Sequence, residues 1–265
     1  MERIKYKPFR ITRIFKSFGL DRQKFTTAIF NLNKNFKDYR TLKKQKGNNE
    51  DFYFGSYYPQ FSDLKDSSGT MKGHYFHQDL YVAQKIYENK PRQHLDIGSR
   101  TDGFVAHVAV FREIEIIDIR EQISKVKNIK FRKADLMQLP KDIVNSYDSV
   151  SSLHAIEHFG LGRYGDPIDY FGYQKAIDNI KHILKNNGKL YFSVPIGSQR
   201  IEFNAHRVFD VKYLINLFTD DYHIDSFSYV DDAGDFHPNV ELNEEDVVKN
   251  YGCVFGCGIL EMTKL

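Results

Sequence analysis

The chain has 265 residues, of which 41% are hydrophobic, 28% charged and 15% aromatic, with no Trp. That length suits one large α/β domain with an extension, and the composition supports a packed core and argues against global disorder. No run of 18 apolar residues offers a membrane span, and the two cysteines, Cys253 and Cys257, imply no disulfide framework, so a reducing cytoplasm is the expected compartment.

The net charge of +3 conceals an asymmetry. Residues 1–49 hold fourteen Lys/Arg against three Asp/Glu, a surplus of eleven, so the remainder carries −8. A basic arm on an acidic body fits contact with something anionic. Ile11, Ile14, Phe15 and Phe18 recur at helical spacing, and Phe25, Ala28, Ile29 and Leu32 repeat the pattern after Gly19. Two short basic amphipathic helices are therefore expected. Such helices either pack on the parent domain or lie on an anionic membrane surface, which makes residues 1–46 the candidate for a peripheral contact with the inner face of the membrane. Residues 43–49 and 66–69 read as loops, and the aromatic stretch Phe52–Pro59 between them reads as a lid or a packed connector. The extension is assigned to residues 1–72 and the main domain to residues 73–265.

From Gly73 onward strands and helices alternate. A helix is expected over 77–88, then strands at His94–Ile97, Ile114–Asp118, Ile129–Arg132 and Ser149–Leu153. A helix over 172–185 is closed by Asn186-Asn187-Gly188, a good C-terminal stop, and strand Leu190–Val194 follows. Two late strands are expected near 223–230 and 257–263. Seven strands in this arrangement imply a doubly wound α/β fold, a parallel sheet with helices on both faces.

In such a sheet ligands bind outside the carboxyl ends of the strands. His94-Leu95-Asp96-Ile97-Gly98-Ser99-Arg100 sits at such an end. Gly98 lets the backbone approach a ligand, and the next helix offers free N–H groups, so the segment suits a nucleotide-like cofactor. Asp118 ends the second strand, where a carboxylate can accept from both hydroxyls of a ribose. Asp135, in Ala134-Asp135-Leu136, follows the third strand and could accept from an adenine amino group. Three acids at successive strand ends form an ordered series that scattered surface charge explains poorly.

The order Leu95-Asp96-Ile97-Gly98, Ile117-Asp118, Ala134-Asp135-Leu136, Leu153-His154-Ala155-Ile156-Glu157-His158 and Leu184-Lys185-Asn186-Asn187-Gly188-Lys189-Leu190 resembles class I S-adenosylmethionine (SAM)-dependent methyltransferases. More narrowly, Tyr75–Leu80, Asp96–Arg100, Ser151–His154, Gly160–Pro167 and Phe203–Phe209 are similar to a methyltransferase-like family linked to bacterial surface-polysaccharide loci. The likeness spans roughly residues 70–265. It implies a seven-stranded Rossmann-like sheet and SAM as cofactor, contacted by Asp96, Gly98, Ser99, Arg100, Asp118, Ile119, Asp135, Leu136 and Leu153. The chain departs from the family's D-x-G-x-G-x-G loop: Arg100 and Asp102 replace the later glycines, with Gly103 one place beyond.

Strand four should face the transferred methyl. His154, His158 and His206 are the candidate bases, since a neutral imidazole can take a proton from an attacking hydroxyl. Glu157, Arg163, Tyr164, Asn204 and Arg207 are the candidate acceptor-binding residues, because an arginine fork suits phosphate or carboxylate. His158, Glu157, Asp166 and His206 also carry metal-type donors, but no spacing matches a metal signature and no metal ligand is assigned. The expected reaction is methyl transfer to an oxygen of a sugar, nucleotide-sugar or related glycan precursor. A SAM-binding or scaffold protein of glycan assembly without turnover is the alternative. A nicotinamide dehydrogenase would need a fuller G-x-G-x-x-G. Nucleic acid is not the expected partner, because the D/N-P-P-Y/F motif of amino-group methylation is absent.

Overall fold

The computed structural model describes residues 18–19, 22–61 and 68–265; those up to Thr70 belong to one compact unit, and Met71–Leu265 form a second. The first expected helix, built on Ile11, Ile14 and Phe15, falls outside the described residues. The second is one long helix, α1, over Arg22–Lys46. It continues through Lys43-Lys44-Gln45-Lys46, which the sequence suggested as loop. Lys and Gln are good helix formers, and lysines suit the negative end of the helix dipole. The chain leaves at Gly47, whose φ of 52° is a glycine conformation. The aromatic stretch folds back along α1: Tyr39 meets Phe54 and Tyr57 edge-on at 5.3 Å, and Asn31 Nδ2 donates to the Phe61 carbonyl at 2.7 Å.

The second unit opens with helix α2, His74–Asn89. Strands β1 (His94–Ile97), β2 (Ile114–Asp118), β3 (Ile129–Lys133), β4 (Tyr147–Leu153) and β5 (Leu184–Ile196) follow, with the four-residue α3 (Ala106–Ala109) and α4 (Gly172–Ile183) between them. A ribbon of β6 (Arg200–Glu202) and β7 (His206–Val208) comes next, then α5 (Val211–Asn216), β8 (Tyr222–Val230), β9 (Phe236–His237), α6 (Glu244–Val248) and β10 (Gly256–Lys264). The sheet order is β3-β2-β1-β4-β5-β10-β8-β9. It has eight strands rather than seven because the two-residue β9 adds to the edge, and it is mixed because β10 lies antiparallel between β5 and β8.

Strand alternation gives the sheet two buried faces. Leu95, Ile97, Val150, Leu190, Phe192 and Val194 pack under α4, whose Ala176, Ile177, Ile180 and Ile183 are buried. Each buried Ile contributes about 1.5–3 kcal/mol. On the other face Ile114, Ile116, Tyr191 and Ile259 pack against Val82, Ala83 and Ile86 of α2 and against Phe104 and Val108. That face also carries a polar seam of His94, Asp96, Ser149, Ser151, Ser193 and Cys257, all buried.

Candidate functional site

β1 lies between β2 and β4, both parallel to it, so the chain leaves its tip in one direction and returns on the other side. That is the switch point where an α/β sheet opens a crevice. Gly98 turns the chain there with φ 68°, and an added Cβ would sit 3.1 Å from Ala155 Cβ. Asp96, fully buried, faces away from the crevice. It accepts from Ser99 N at 3.0 Å, Ser99 Oγ at 2.6 Å and Ser151 Oγ at 2.6 Å. Burial pushes its pKa up to about 6 against the pull of those bonds. Ser99 Oγ in turn accepts from Leu153 N at 3.0 Å. Asp96, Ser99 and Leu153 thus brace the tip of β1 to the tip of β4 behind the pocket wall. The displaced glycine has a reason in packing, since a Cβ on Gly103 would fall 2.4 Å from Asp79 Oδ2 of α2.

The crevice is a pocket of about 720 Å³, part of it open to solvent. Gly98 and Arg100 from the β1 tip, Asp118 and Ile119 from β2, and Asp135 and Leu136 from β3 line it. Ile97, Ile117, Ala134 and Phe159 give it apolar walls, and Tyr75, His154, His158, Tyr164 and Asp166 close the far side. Asp118 is engaged by Arg120, which donates from its backbone N at 2.7 Å, Nε at 3.0 Å and Nη2 at 2.6 Å. The Arg120 guanidinium lies 4.4 Å from the centre of the Tyr164 ring. Its side chain is half exposed, and an exposed ion pair contributes only about 0–1 kcal/mol, so a polar ligand can displace it. Arg100 forks onto Asp102 at 2.9 and 3.1 Å and covers the Tyr75 ring. Asp135 Oδ1 caps a turn by accepting from Met137 N at 2.9 Å.

Beyond β4 the backbone of His154 takes φ 51°. A non-glycine residue in that region costs on the order of 1–3 kcal/mol and persists where surrounding bonds impose it. Here its N–H donates to the Ser193 carbonyl at 3.0 Å, Nδ1 pairs with Glu157 Oε1 at 2.7 Å, and Nε2 lies 3.1 Å from His74 Nδ1. Burial opposes protonation of His154, but the Cys257 sulfur and the Glu157 carboxylate together hold its pKa well above the usual imidazole value. Burial and the His154 charge lower His74 to about 4. Burial would raise Glu157, yet His154 outweighs it and holds this carboxyl below its ordinary value.

His158 has the opposite character. Its Nδ1–H donates to the Ala205 carbonyl at 2.7 Å, which puts the lone pair on Nε2, where Arg163 Nη1 lies 3.5 Å away. Its pKa is lowered, mainly by burial and further by Arg163. Arg163 Nη1 donates to Ala205 O at 2.8 Å, and its guanidinium lies 5.1 Å from the centre of the Tyr164 ring. Glu157 is buried and facing His154, so it is not presented to a ligand. Arg207 is also buried: it donates to the carbonyls of Phe159 at 2.6 Å and Tyr170 at 3.1 Å and rests on the Tyr173 ring. It secures the Gly160–Pro167 loop from beneath. His206 lies outside the lining, its ring 4.9 Å from Phe255, and Asn204 is exposed in the β6–β7 turn.

Of the expected residues, Gly98, Arg100, Asp118, Ile119, Asp135, Leu136, His154, His158 and Tyr164 share one pocket, whereas Asp96, Ser99, Leu153, Glu157, Arg163, Asn204, His206 and Arg207 are outside its lining. Sequence reasoning missed Tyr75, Arg120 and Phe159 as lining residues, Gln78 and Asp79 as buried partners and His74 as a half-buried one. Arg120, two residues past a strand-end acid, was the one with a local signal. The α2 residues carried none, because only the fold brings that helix to the strand tips.

Residues 101–251, more than half of the chain, match the family described as "Caenorhabditis protein of unknown function, DUF268". The chain belongs to that family. Its description names a nematode genus and no polysaccharide, so the link to surface glycans rests on the sequence resemblance alone. Among curated proteins none matches the chain. Among solved structures, the Burkholderia thailandensis 1,6-didemethyltoxoflavin-N1-methyltransferase, crystallised with 1,6-didemethyltoxoflavin and S-adenosylhomocysteine, is similar at TM-score 0.51 and 12% identity, over 71% of this chain and 78% of that one. The N-methyltransferase NodS from Bradyrhizobium japonicum WM9, in complex with S-adenosylhomocysteine, is similar at TM-score 0.47 and 13% identity, over 85% and 97%. At 12% identity the first likeness establishes the fold, the Rossmann-like methyltransferase sheet, and nothing finer.

Proposed function

We propose that this chain binds SAM at the tips of β1–β3 and transfers its methyl group to an oxygen of an anionic, glycan-related acceptor. The observation that supports this most is the convergence of Gly98, Asp118 and Asp135 on one apolar-walled pocket. SAM, when bound, supplies a methyl on a positively charged sulfur. Asp118 would accept from the ribose hydroxyls once Arg120 swings aside, Asp135 from the adenine amino group, and Ile117, Ala134 and Leu136 would flank the base. Of the three candidate bases, His158 suits the role best. It lines the pocket, its pKa is lowered so that it is neutral at pH 7, and its Nε2, with Arg163 Nη1 3.5 Å away, carries the lone pair for the proton of an acceptor hydroxyl. Arg100 and Arg120 line the pocket and stand over the rings of Tyr75 and Tyr164, and Arg163 lies against Tyr164 just outside the lining. That cationic rim favours a phosphate-bearing acceptor such as a nucleotide sugar. In-line alignment of acceptor, methyl and sulfur supplies much of the rate.

The test is label transfer from methyl-labelled SAM to a panel of nucleotide sugars and sugar phosphates. Labelled product is expected, and His158→Gln should slow turnover about 10²–10⁴-fold with cofactor affinity unchanged. A chain that binds SAM yet labels none of the panel fits the second reading, a binding protein without turnover. The Arg120 fork on Asp118 is the observation that favours it. For the arm, residues 1–46 are proposed to associate with anionic membrane, from the surplus of Lys/Arg and the exposed Phe25, Ile29 and Phe30 on α1. Co-sedimentation with anionic vesicles should weaken on deletion of residues 1–46, and equal binding with and without them removes the idea. Among the described residues no helix is long and apolar enough to cross a membrane.

A further inference from the structure

We propose that His74, His154 and Cys257 hold a divalent metal ion, zinc by the character of its donors, where the start of α2 meets the tips of β4 and β10. One donor atom from each of the three lies within 4.8 Å of the others. His74 Nδ1 and His154 Nε2 face each other at 3.1 Å. Two imidazole nitrogens bound at about 2.0–2.1 Å to a tetrahedral zinc stand roughly 3.3 Å apart, so small shifts admit the ion. Imidazole with thiolate is a borderline-soft set that selects zinc over magnesium or calcium.

Two further features point to a cation. Glu157, fully buried, lies behind His154 with its Oε1 2.7 Å from Nδ1. That bond keeps a proton on Nδ1, so in the metal-bound state Nε2, the atom that faces His74, is the one that gives its lone pair to the ion. A ligating histidine held from behind by a carboxylate is the usual outer support of a zinc site. Charge also balances: one thiolate and one carboxylate against a doubly charged ion leave no net charge in a buried place. Without an ion, one proton between the rings must serve, and Glu157 Oε2 has no hydrogen-bond partner. Cys253 is not in the donor set; burial pushes its thiol up to about 12. Three protein donors leave a fourth position to water or to an acceptor oxygen, beside a pocket that His154 itself lines.

The test uses the full chain and does not involve SAM, so it stands apart from the methyl-transfer reading. Plasma emission analysis of the purified protein should find one zinc per chain. After chelation, cobalt(II) should restore a tetrahedral spectrum with a thiolate-to-cobalt charge-transfer band at one equivalent. Cys257→Ser and His74→Gln should lose that band with circular dichroism unchanged, Cys253→Ser should keep it, and Glu157→Gln should bind about 10- to 100-fold more weakly. A folded wild-type chain that holds no zinc and gives no such band with cobalt overturns the proposal, as does a band that survives Cys257→Ser.

Discussion

The tips of β1–β3 and the tips of β4, β5 and β10 lie side by side on one sheet but are built differently. The first group is assembled from acids and small residues that follow their own strands, and the arginines beside them, Arg120 and Arg100, are half exposed. The second gathers the buried side chains of His154, Glu157 and Cys257 with the half-buried His74, and one of its members, His154, holds a left-handed backbone. An open group can exchange an arginine for a ligand at small cost. A buried polar group is stable only when its partners are present. The contrast separates a place that receives something from a place that is held in a fixed state.

The largest effect should come from the brace that joins the two regions. Asp96→Ala leaves the Ser99 and Ser151 donors without an acceptor in the core, and urea unfolding should show a loss of about 3–5 kcal/mol. A loss below 1 kcal/mol would mean the brace is dispensable and the two regions are independent.

Next comes His94, beneath the same brace, its Nδ1 2.8 Å from Ser149 Oγ and its Nε2 3.1 Å from Ser151 Oγ. Burial lowers its pKa to about 3, and the Arg112 charge adds to that. The unfolded chain protonates this histidine near 6.5 and the folded chain does not, so its contribution to stability is lost as pH falls from 6.5 towards 3. Wild type should therefore lose about 3 kcal/mol more than His94→Gln between pH 6.5 and pH 4. Parallel unfolding curves against pH would contradict the neutral buried ring.

Smaller effects belong to the open group. Asp118→Ala should weaken S-adenosylhomocysteine binding by about 2–3 kcal/mol with the unfolding midpoint unchanged, because charge-assisted hydrogen bonds to the ligand are lost and no core group is exposed. Arg120→Ala should change stability by less than about 1 kcal/mol and leave affinity equal or higher, since it frees Asp118. Weaker binding in Arg120→Ala would make that arginine a ligand contact instead of a competitor.

The two regions also differ in how legible they were in the sequence. His94–Ile97 and Ile114–Asp118 are strands with the expected bounds, and the acids after β2 and β3 line the pocket, because short-range pattern decides both. The strand near 257–263 is β10, but its antiparallel direction was not legible, since pairing direction depends on the whole connection, and neither was the ribbon of β6 and β7. Arg207 and Glu157 carry charges that suggest a ligand, yet the fold turns both inward onto carbonyls and an imidazole. Cys257 stood in the sequence only as one of two cysteines without a disulfide framework, while its spatial partners are His154 and His74.

The central claim is that the tips of β1, β2 and β3 form one adenosyl-binding pocket. Titration calorimetry of the folded full chain with S-adenosylhomocysteine tests it most directly. The account predicts saturable binding at one site per chain. Absence of heat up to millimolar ligand, with the protein folded by circular dichroism, would contradict it.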